Sequence, residues 1–559
     1  QLPDNFQHLL QVRLDEVSPQ DRHALRLAAV LGQSFSTADI HALMPAPGYQ
    51  LDVLVQHCLL RHLERHLDGD RFDFLHALIR QGIYEALPVR QREAMHVQVA
   101  QHFESSDAVL AAQHLHKARQ PHAPVALLAA ARTRHEDFDH EAALSLLLMY
   151  GGIDYASRDE HAHAMMLGDV HAKMGSMPQA REAYERAVAH APDEVSRLKA
   201  KVALASVLNV LEELVAEEAL IDEALPQAKA ADALAQLAAL HYLKGNLYFP
   251  RGDVARSRMH HGLAMDVAQQ AGAARLQAQA LSGLGDSFYA EGLMHTANDH
   301  FVRCLRLCDE HSLRDIEASN RFMLATTQIY LCQTPQALME AVASAVLARR
   351  VGNRRAELVS RLTASWIELG CGRPQEALFH INEGLMICRA MGAMRFEPFL
   401  QEAQARALYA SGDEVQAQRV IQLALDGVER LKLHAFIGPW VMGTWALLHS
   451  QDERAMIMIE RAQAQIERGC VAHNVYRFHA SAMEVCMLRG QHDAARRLGE
   501  NWLQSTGREP TPWVRLLHDF MHRCQDLDAL PHPDDPAWMA LREQQILHVL
   551  LKLPRVLLR

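Results

Sequence analysis

Apolar and small residues recur along most of this chain in a helical rhythm, not an alternating one. Residues 167 to 192 carry Leu167, Gly168, Gly175, Ala180, Tyr184, Ala187 and Pro192, a spacing that reads as two helices joined at Gly175 and stopped by Pro192. Stepping the turn glycine forward by about 40 residues lands on Gly252, Gly292, Cys332, Gly372, Gly412, Ser450 and Gly490. The small position that follows reads Ser257, Ala297, Ala337, Ala377, Ala417, Ala455 and Ala495. This register predicts a row of helical hairpins, in which small residues let two helices approach and each unit buries its apolar face only against its neighbours. Leu284, Gly285, Phe288 and Phe301 complete one copy well, whereas residues 201–230 keep helical periodicity but fit the pattern poorly.

The two ends differ. Residues 1–108 do not follow the repeat and predict helices over about Phe6–Leu14, Pro19–Leu31 and Leu51–His62. An alternating stretch from Leu63 to Leu67, the pair Asp68-Gly69 and then Arg71-Phe72-Asp73-Phe74 predict a β-hairpin. Three helices and a hairpin suggest a winged helix. Residues 109–150 are expected to form the first, divergent helix pairs, and 109–508 the repeat array as a whole. From 509 to 559 a bend at Pro531, Pro533 and Pro536 precedes a helix over 537–552, expected to cap the array.

The segment 167–192 resembles the tetratricopeptide repeat, with His171 where an aromatic is usual. The resemblance implies an all-α fold, a right-handed superhelix of hairpins; the 40-residue period exceeds the standard 34 and implies longer helices. In the N-terminal region Leu2-Pro3, Arg13-Leu14-Asp15, Ala28-Ala29-Val30-Leu31-Gly32 with Phe35, and Phe74-Leu75-His76-Ala77-Leu78-Ile79-Arg80 with Tyr84 stand in order, followed by Arg92, His96 and Glu104. This looks like the winged-helix module of signal-transduction ATPases with numerous domains, of the kind attached to class III nucleotide cyclases or large transcriptional regulators. The resemblance implies a nucleotide-binding domain upstream, holding ADP or ATP, with His76 reaching the β-phosphate of ADP. Ala77 stands where an acid is usual, and Arg80 is the substitute cation. Gln1 in place of Met leads us to expect a fragment with something missing upstream.

Composition narrows the function classes. The 559 residues are 49% hydrophobic, 22% charged and only 6% aromatic, which suits stacked helices and argues against disorder. No apolar run approaches the roughly 20 residues of a membrane span. The net charge of -11, from 56 basic and 67 acidic residues without a Lys/Arg block, makes nucleic acid an unlikely partner. The nine cysteines form no CxxC pair and read as reduced core residues of a cytoplasmic protein; Cys304 and Cys308, one turn apart, read as core packing.

No GxxxxGK[ST] phosphate loop, HExxH, GxSxG or Gly-rich dinucleotide turn occurs, so neither an enzyme active site nor a cofactor is expected within this chain. The 34 histidines include His114 with His116, His161 with His163, and His260 with His261, but those spacings do not put ligands on one helix face. They are expected as solvated surface residues, and no metal is assigned. The acidic pairs Glu212-Glu213 and Glu217-Glu218 are expected as a solvated face. In a tetratricopeptide superhelix helix A lines the concave wall, and the 40-residue register puts Asn246, Phe249, Asp286, Tyr289, Thr326, Ile329, Trp366, Leu369, Arg406 and Tyr409 there. That mixture of aromatic and polar side chains suits capture of a protein, a peptide or a small inducer; for Trp366, packing against the next repeat is an equal alternative. The chain is therefore expected to be the non-catalytic regulatory or sensor arm of a signalling ATPase. A free-standing tetratricopeptide adaptor is the alternative, and a DNA-binding regulator is disfavoured by the missing basic recognition helix.

Overall fold

In the computed structural model, residues 12–14, 16–44, 49–64, 70–152, 158–211, 213–249 and 251–515 are described. The chain divides into two compact units, Gln1–Glu217 and Glu218–Arg559.

The first unit opens with small elements whose starts are written in the sequence. Ser18 and Asp21 exchange side-chain and backbone hydrogen bonds at the head of the helix Pro19–Leu31, and Ser36 and Asp39 do the same for Thr37–Leu43. Each pair satisfies amide groups that a helix start leaves without partners. Three strands, β1 (Ser34–Ser36), β2 (Leu60–Glu64) and β3 (Arg71–Phe74), form an antiparallel sheet with β3 in the centre. Phe35, Leu60, Phe72 and Phe74 turn inward onto Leu25, Ala28, Ile40 and Leu54. The helix expected over Leu51–His62 is shorter, Asp52–Gln56, because Leu60 and His62 pair with Phe74 and Phe72 instead. Helix Thr37–Leu43 and strand β1 were not anticipated. The Asp68-Gly69 turn and most of the Phe6–Leu14 helix lie outside the described residues. After Ala77–Glu85 and Val89–Phe103 the unit continues in antiparallel helices, including the hairpin Glu160–Lys173/Met177–Ala189 and the helix Glu194–Val210.

The second unit is an array of tetratricopeptide-like hairpins. Its A helices are Leu234–Tyr248, Ala274–Ala290, Arg314–Tyr330, Arg354–Gly370, Glu397–Ala410, His434–Leu448 and Ala472–Leu488, each followed by a B helix. Within a hairpin a small residue on helix A faces the residue 16 positions later on helix B. A Cβ on Gly168 would stand 2.5 Å from the Tyr184 ring, one on Gly245 2.5 Å from His261, and one on Gly285 2.7 Å from Phe301. Glycine is thus required by contact, since the flat ring of helix B lies directly on the backbone of helix A. The turns obey the register too: Gly252, Gly292, Cys332, Gly372, Gly412 and Gly490 all have φ between 61° and 90°. Ser450 departs from it. A second series, Asp232, Gly272, Ser312, Gly352, Gly392 and Lys432, makes the B-to-A turns with φ between 50° and 72°.

This array returns on itself. Tyr476 donates to Gly292 O, Arg477 Nε donates to Tyr330 Oη at 3.3 Å, and Glu509 accepts from the amides of His295 and Thr296 and from the Thr296 hydroxyl. Trp513 packs on Tyr330 and Tyr476, in one core with Met294, Phe301 and Trp502. The six A helices from Ala274–Ala290 to Ala472–Leu488 therefore form a closed inner ring, in which each touches the next and the last touches the first. Of the cap expected over 509–559, residues 516–559, with the bend and the helix, lie outside the described residues; Glu509 and Trp513 form part of the closure.

Several side chains expected on the surface are packed. His114, His163, His260 and His261 are buried. His114 Nδ1 is 2.8 Å from His96 Nδ1, His260 Nδ1 is 3.1 Å from His241 Nδ1, and His163 Nε2 donates to Leu147 O. His161 donates to Ala187 O. His261 occupies the position that Phe301 fills 40 residues later, so it serves as the packing ring of its hairpin. Burial holds it neutral, lowering its pKa to about 3, with His260 adding to the effect. Glu217 is likewise buried and accepts two bonds from Asn209, while Glu213 pairs with Arg181 and Glu218 with Arg251. Cys304 and Cys308 are buried, and Cys304 Sγ donates to Ala278 O.

Candidate functional site

The inner wall of the ring carries the chemistry. Asp286 is half-buried on the helix Ala274–Ala290, yet its carboxyl is pushed up to about 7 by desolvation, which the Arg355 guanidinium only partly counters. Arg355 is exposed, yet desolvation lowers its pKa; repulsion from Arg395 adds to this, and Asp286 and Tyr242 oppose it. His473 is half-buried and lowered to about 4, first by desolvation. These three side chains keep some accessible surface and are nevertheless strongly desolvated by the helices around them.

Two clusters lie on this wall. In the first, Asp286 and Tyr242, the latter on the helix Leu234–Tyr248 that precedes the closed ring, lie within electrostatic reach of Arg355. In the second, Arg477 stands over four rings, 5.1 Å from the centroid of Trp440, 5.5 Å from Tyr330 and Trp513, and 5.8 Å from Trp366. Trp366 and Trp440 pack at 4.9 Å. Tyr289, one turn beyond Asp286, links the clusters. Its hydroxyl donates to His473 Nδ1 at 3.1 Å, because His473 Nε2–H is committed to Phe436 O at 2.6 Å. That proton placement is the neutral tautomer, in keeping with the lowered pKa of His473.

Of the residues expected on the concave wall, Asn246, Phe249, Asp286, Ile329, Trp366 and Leu369 are half-buried, and Tyr409 is exposed. Three depart from the expectation of free groove residues. Tyr289 is 7% exposed and Thr326 4%, both inside the wall, because closure of the ring buries the former and Thr326 turns its hydroxyl to Phe322 O. Arg406 is committed: Nε donates to the buried Glu402 at 2.5 Å, and Nη2 donates to Thr444 at 2.8 Å and to Ser481 at 2.7 Å. Tyr242, Arg355, Trp440, His473 and Arg477 were missed. Tyr242 and Trp440 stand one helical turn, four residues, before register positions counted back from the turns at Gly252 and Ser450, and Arg477 stands two turns, seven residues, before the one counted back from Gly490, so extending the stripe backwards by two turns would have included all three.

In the first unit, His76 is exposed at the start of the helix Ala77–Glu85 and makes no capping bond. Arg80 is half-buried, and its Nη1 donates to Ala29 O at 3.4 Å. Among the described residues no group of three or more His, Cys, Asp or Glu is placed to hold a metal, and no helix is long and apolar enough to cross a membrane.

The fold and this wall define a helical-repeat protein whose A helices close into a ring that carries polar and aromatic side chains. No protein-family model matches the chain, and no curated protein matches it. Among solved structures, the chain is similar to a signal-transduction ATPase with numerous domains carrying a tetratricopeptide repeat sensor, from Pyrococcus horikoshii. The two are 12% identical, with a TM-score of 0.49 over 76% of this chain, and the chain spans 65% of the length of that protein. It is also similar to the Rap conjugation gene regulator of plasmid pLS20, solved with the Phr* peptide, at 11% identity and a TM-score of 0.41 over 67% of this chain and 96% of that one. Aspartyl phosphate phosphatase F from Bacillus subtilis gives 12% and 0.38 over 59% and 89%. Identities this low carry no function across.

Proposed function

We propose that this chain is the non-catalytic sensor arm of a bacterial, cytoplasmic signalling ATPase. In this reading the repeats capture a protein, peptide or small ligand, and residues 1–108 relay capture to an upstream domain that holds ADP or ATP. The observation that carries the reading is the closed ring of A helices, which brings charged and aromatic side chains from helices far apart in sequence together on one wall. A wall fixed by closure suits ligand capture by preformed side chains. The capped helices and the sheet with β3 in its centre support the winged-helix reading of residues 1–108. His76 supports the relay: exposed and uncapped, its imidazole is free to donate to a phosphate oxygen, a contact of moderate strength that rotation of the module would break. Arg80 lies one turn on and is tethered to Ala29 O.

The test uses the full-length parent. His76→Ala should purify with less bound ADP than wild type and show raised output without inducer, while the chain of residues 1–559 alone shows no micromolar ATP binding by calorimetry. Unchanged ADP retention together with unchanged output would overturn the relay.

A further inference from the structure

Two apolar cores meet in the first unit without merging. One holds Leu25 and Phe74 together with Met95 and Val99 of the helix Val89–Phe103; the other holds Ala112 of the helix Ala108–Lys117 together with Leu127, Leu146 and Tyr150. The seam between them is the contact of those two helices, which residues 104–107 join. Across it stand His96, with no exposed surface, and His114, 2% exposed, their Nδ1 atoms 2.8 Å apart. The Tyr84 hydroxyl, from the helix Ala77–Glu85, lies 2.8 Å from His96 Nε2. A chain of three polar side chains thus runs from the sheet-bearing module into the helices that follow it.

Geometry fixes how many protons this chain holds. A neutral imidazole carries one N–H, so one Nδ1 donates and the other accepts. If His96 Nδ1–H donates to His114, the Tyr84 hydroxyl donates to His96 Nε2; if His114 Nδ1–H donates, His96 Nε2–H donates to the Tyr84 oxygen. One added proton would make a buried cation, and two would set N–H against N–H at 2.8 Å. The surroundings oppose even the first. Lys117, on the helix of His114, acts as a cation on both rings, and Arg92, on the helix of His96, acts on His96. Arg80, from Ala77–Glu85, acts on Lys117, and His116 is itself held down by burial and by Lys117. No carboxylate acts on either ring. On the neighbouring helices, Asp39 is bonded to His102, Asp21 to Ser18 and Tyr49, and Glu93 stands beside Arg119. The helix Ala123–Glu136 buries Ala123, Pro124 and Leu127, while its His135 acts with His140 and Asp169. Desolvation first, then the His114 ring and the two cations, lower His96 to about 3; desolvation, then Lys117, lower His114 to about 4.

We propose that this seam is an acid-labile joint, closed while His96 and His114 are both neutral and opened by the uptake of two protons, so that residues 1–108 uncouple from the helices after them as pH falls. Once the helices part, each imidazole returns to its ordinary value of about 6.5. The closed seam binds fewer protons than the open one, so the joint is at full strength above about pH 6.5 and weakens as pH falls toward the closed values. From pH 7.5 to 5.5 two such groups raise the opening constant about 100-fold, and one raises it about tenfold. Neither a nucleotide nor a captured ligand enters the argument, which goes beyond the sensor reading and stands apart from it.

The experiment is hydrogen exchange of residues 1–559 read by mass spectrometry at pH 7.5, 6.5 and 5.5 and corrected for intrinsic rates. Peptides from Val89–Phe103 and Ala108–Lys117 should show the opening constant rising about 100-fold over that range. Peptides from Arg354–Gly370, which holds no histidine, should change less than about threefold. His114→Asn, which keeps a polar group at the place of Nδ1 and cannot take a charge, should cut the rise to about tenfold. His96→Gln with His114→Asn should flatten it, and His122→Gln, at an exposed position, should leave it intact. A wild-type rise no larger than that of the control helix overturns the joint, whether or not the variants fold. So does a rise that persists in the double variant with circular dichroism unchanged. Protection that ignores pH but is lost on adding EDTA would put a metal ion between the Nδ1 atoms in place of a proton, and overturns it as well. None of these failures touches ADP retention by the parent, so the joint and the sensor reading fail separately.

Discussion

Replacing Asp286 with Asn should stabilise the protein, and by an amount that grows with pH. In the unfolded chain the carboxyl titrates near 3.8, whereas on the ring wall desolvation, only partly offset by Arg355, raises it to about 7. Tyr242, Tyr289 and Cys304, which lie within electrostatic reach of it, are themselves raised and stay neutral over this range. Below both values the carboxyl is protonated in either state and contributes nothing. As pH rises past 3.8 the unfolded chain loses its proton first, which favours unfolding until the folded carboxyl ionises near 7. At about 1.36 kcal/mol per unit, the wild-type penalty is about 1.6 kcal/mol at pH 5 and about 4 kcal/mol at pH 8, a growth of about 2.5 kcal/mol. Asn keeps the shape and removes the titration. Relaxation of the wall reduces the figure, and half of it, about 1.2 kcal/mol, is still measurable. Urea unfolding followed by tryptophan fluorescence at pH 5, 6, 7 and 8 should show the variant's advantage widening with pH. A constant difference, or one that narrows, would mean that Asp286 is solvated and titrates in the ordinary carboxylate range in both states.

Two further substitutions probe the packing. Arg406→Ala should lower stability by about 3–5 kcal/mol, because it leaves the buried Glu402 without its cation; Arg406→Ala combined with Glu402→Gln should recover part of the loss in the same unfolding assay, and a loss under about 1 kcal/mol would show that Arg406 is a free groove residue. Gly285→Ala should destabilise, because a Cβ 2.7 Å from Phe301 overpacks the hairpin by about 1–3 kcal/mol, whereas Gly262→Ala, with nothing within 4 Å, should gain up to about 1 kcal/mol of helix propensity. Midpoints that move in the same direction would separate glycine from the ring contact.

The hairpin array could be read from the sequence because its determinants are local. Gly252, Gly292 and Gly372 mark turns whose backbone only glycine adopts without strain, and Tyr184 and Phe301 lie on glycines at a fixed offset. The second turn series was equally visible in Gly272, Gly352 and Gly392, yet went unread because only the A-to-B turn was projected. His261 was misjudged for another reason: taken with His260 as a pair, it lost its place in the 40-residue register, where it stands for Phe301. The wall residues Asp286 and Trp366 came from that register alone. What it could not supply was closure. Whether Tyr289 is groove or core depends on small rotations summed over five hairpins, and no local spacing records the sum. Arg406 shows the same limit, since its partners Thr444 and Ser481 lie one and two repeats away.

Closure also alters how the array would come apart. An open row of repeats is a chain of nearest neighbours, and its last hairpin can peel away without consulting the others. Here Glu509 holds amides 213 and 214 positions earlier in sequence, and Tyr476 reaches a carbonyl 184 positions back. The final hairpin is in effect a keystone: releasing it frees the start of the arch as well as its end. Such a link costs little more entropy than a shorter one, since loop closure grows only as the logarithm of length, by about 0.6 kcal/mol per doubling. In return, fraying at the end becomes a cooperative opening of the whole ring. The step that releases the last hairpin is thereby the same step that first loosens the fold.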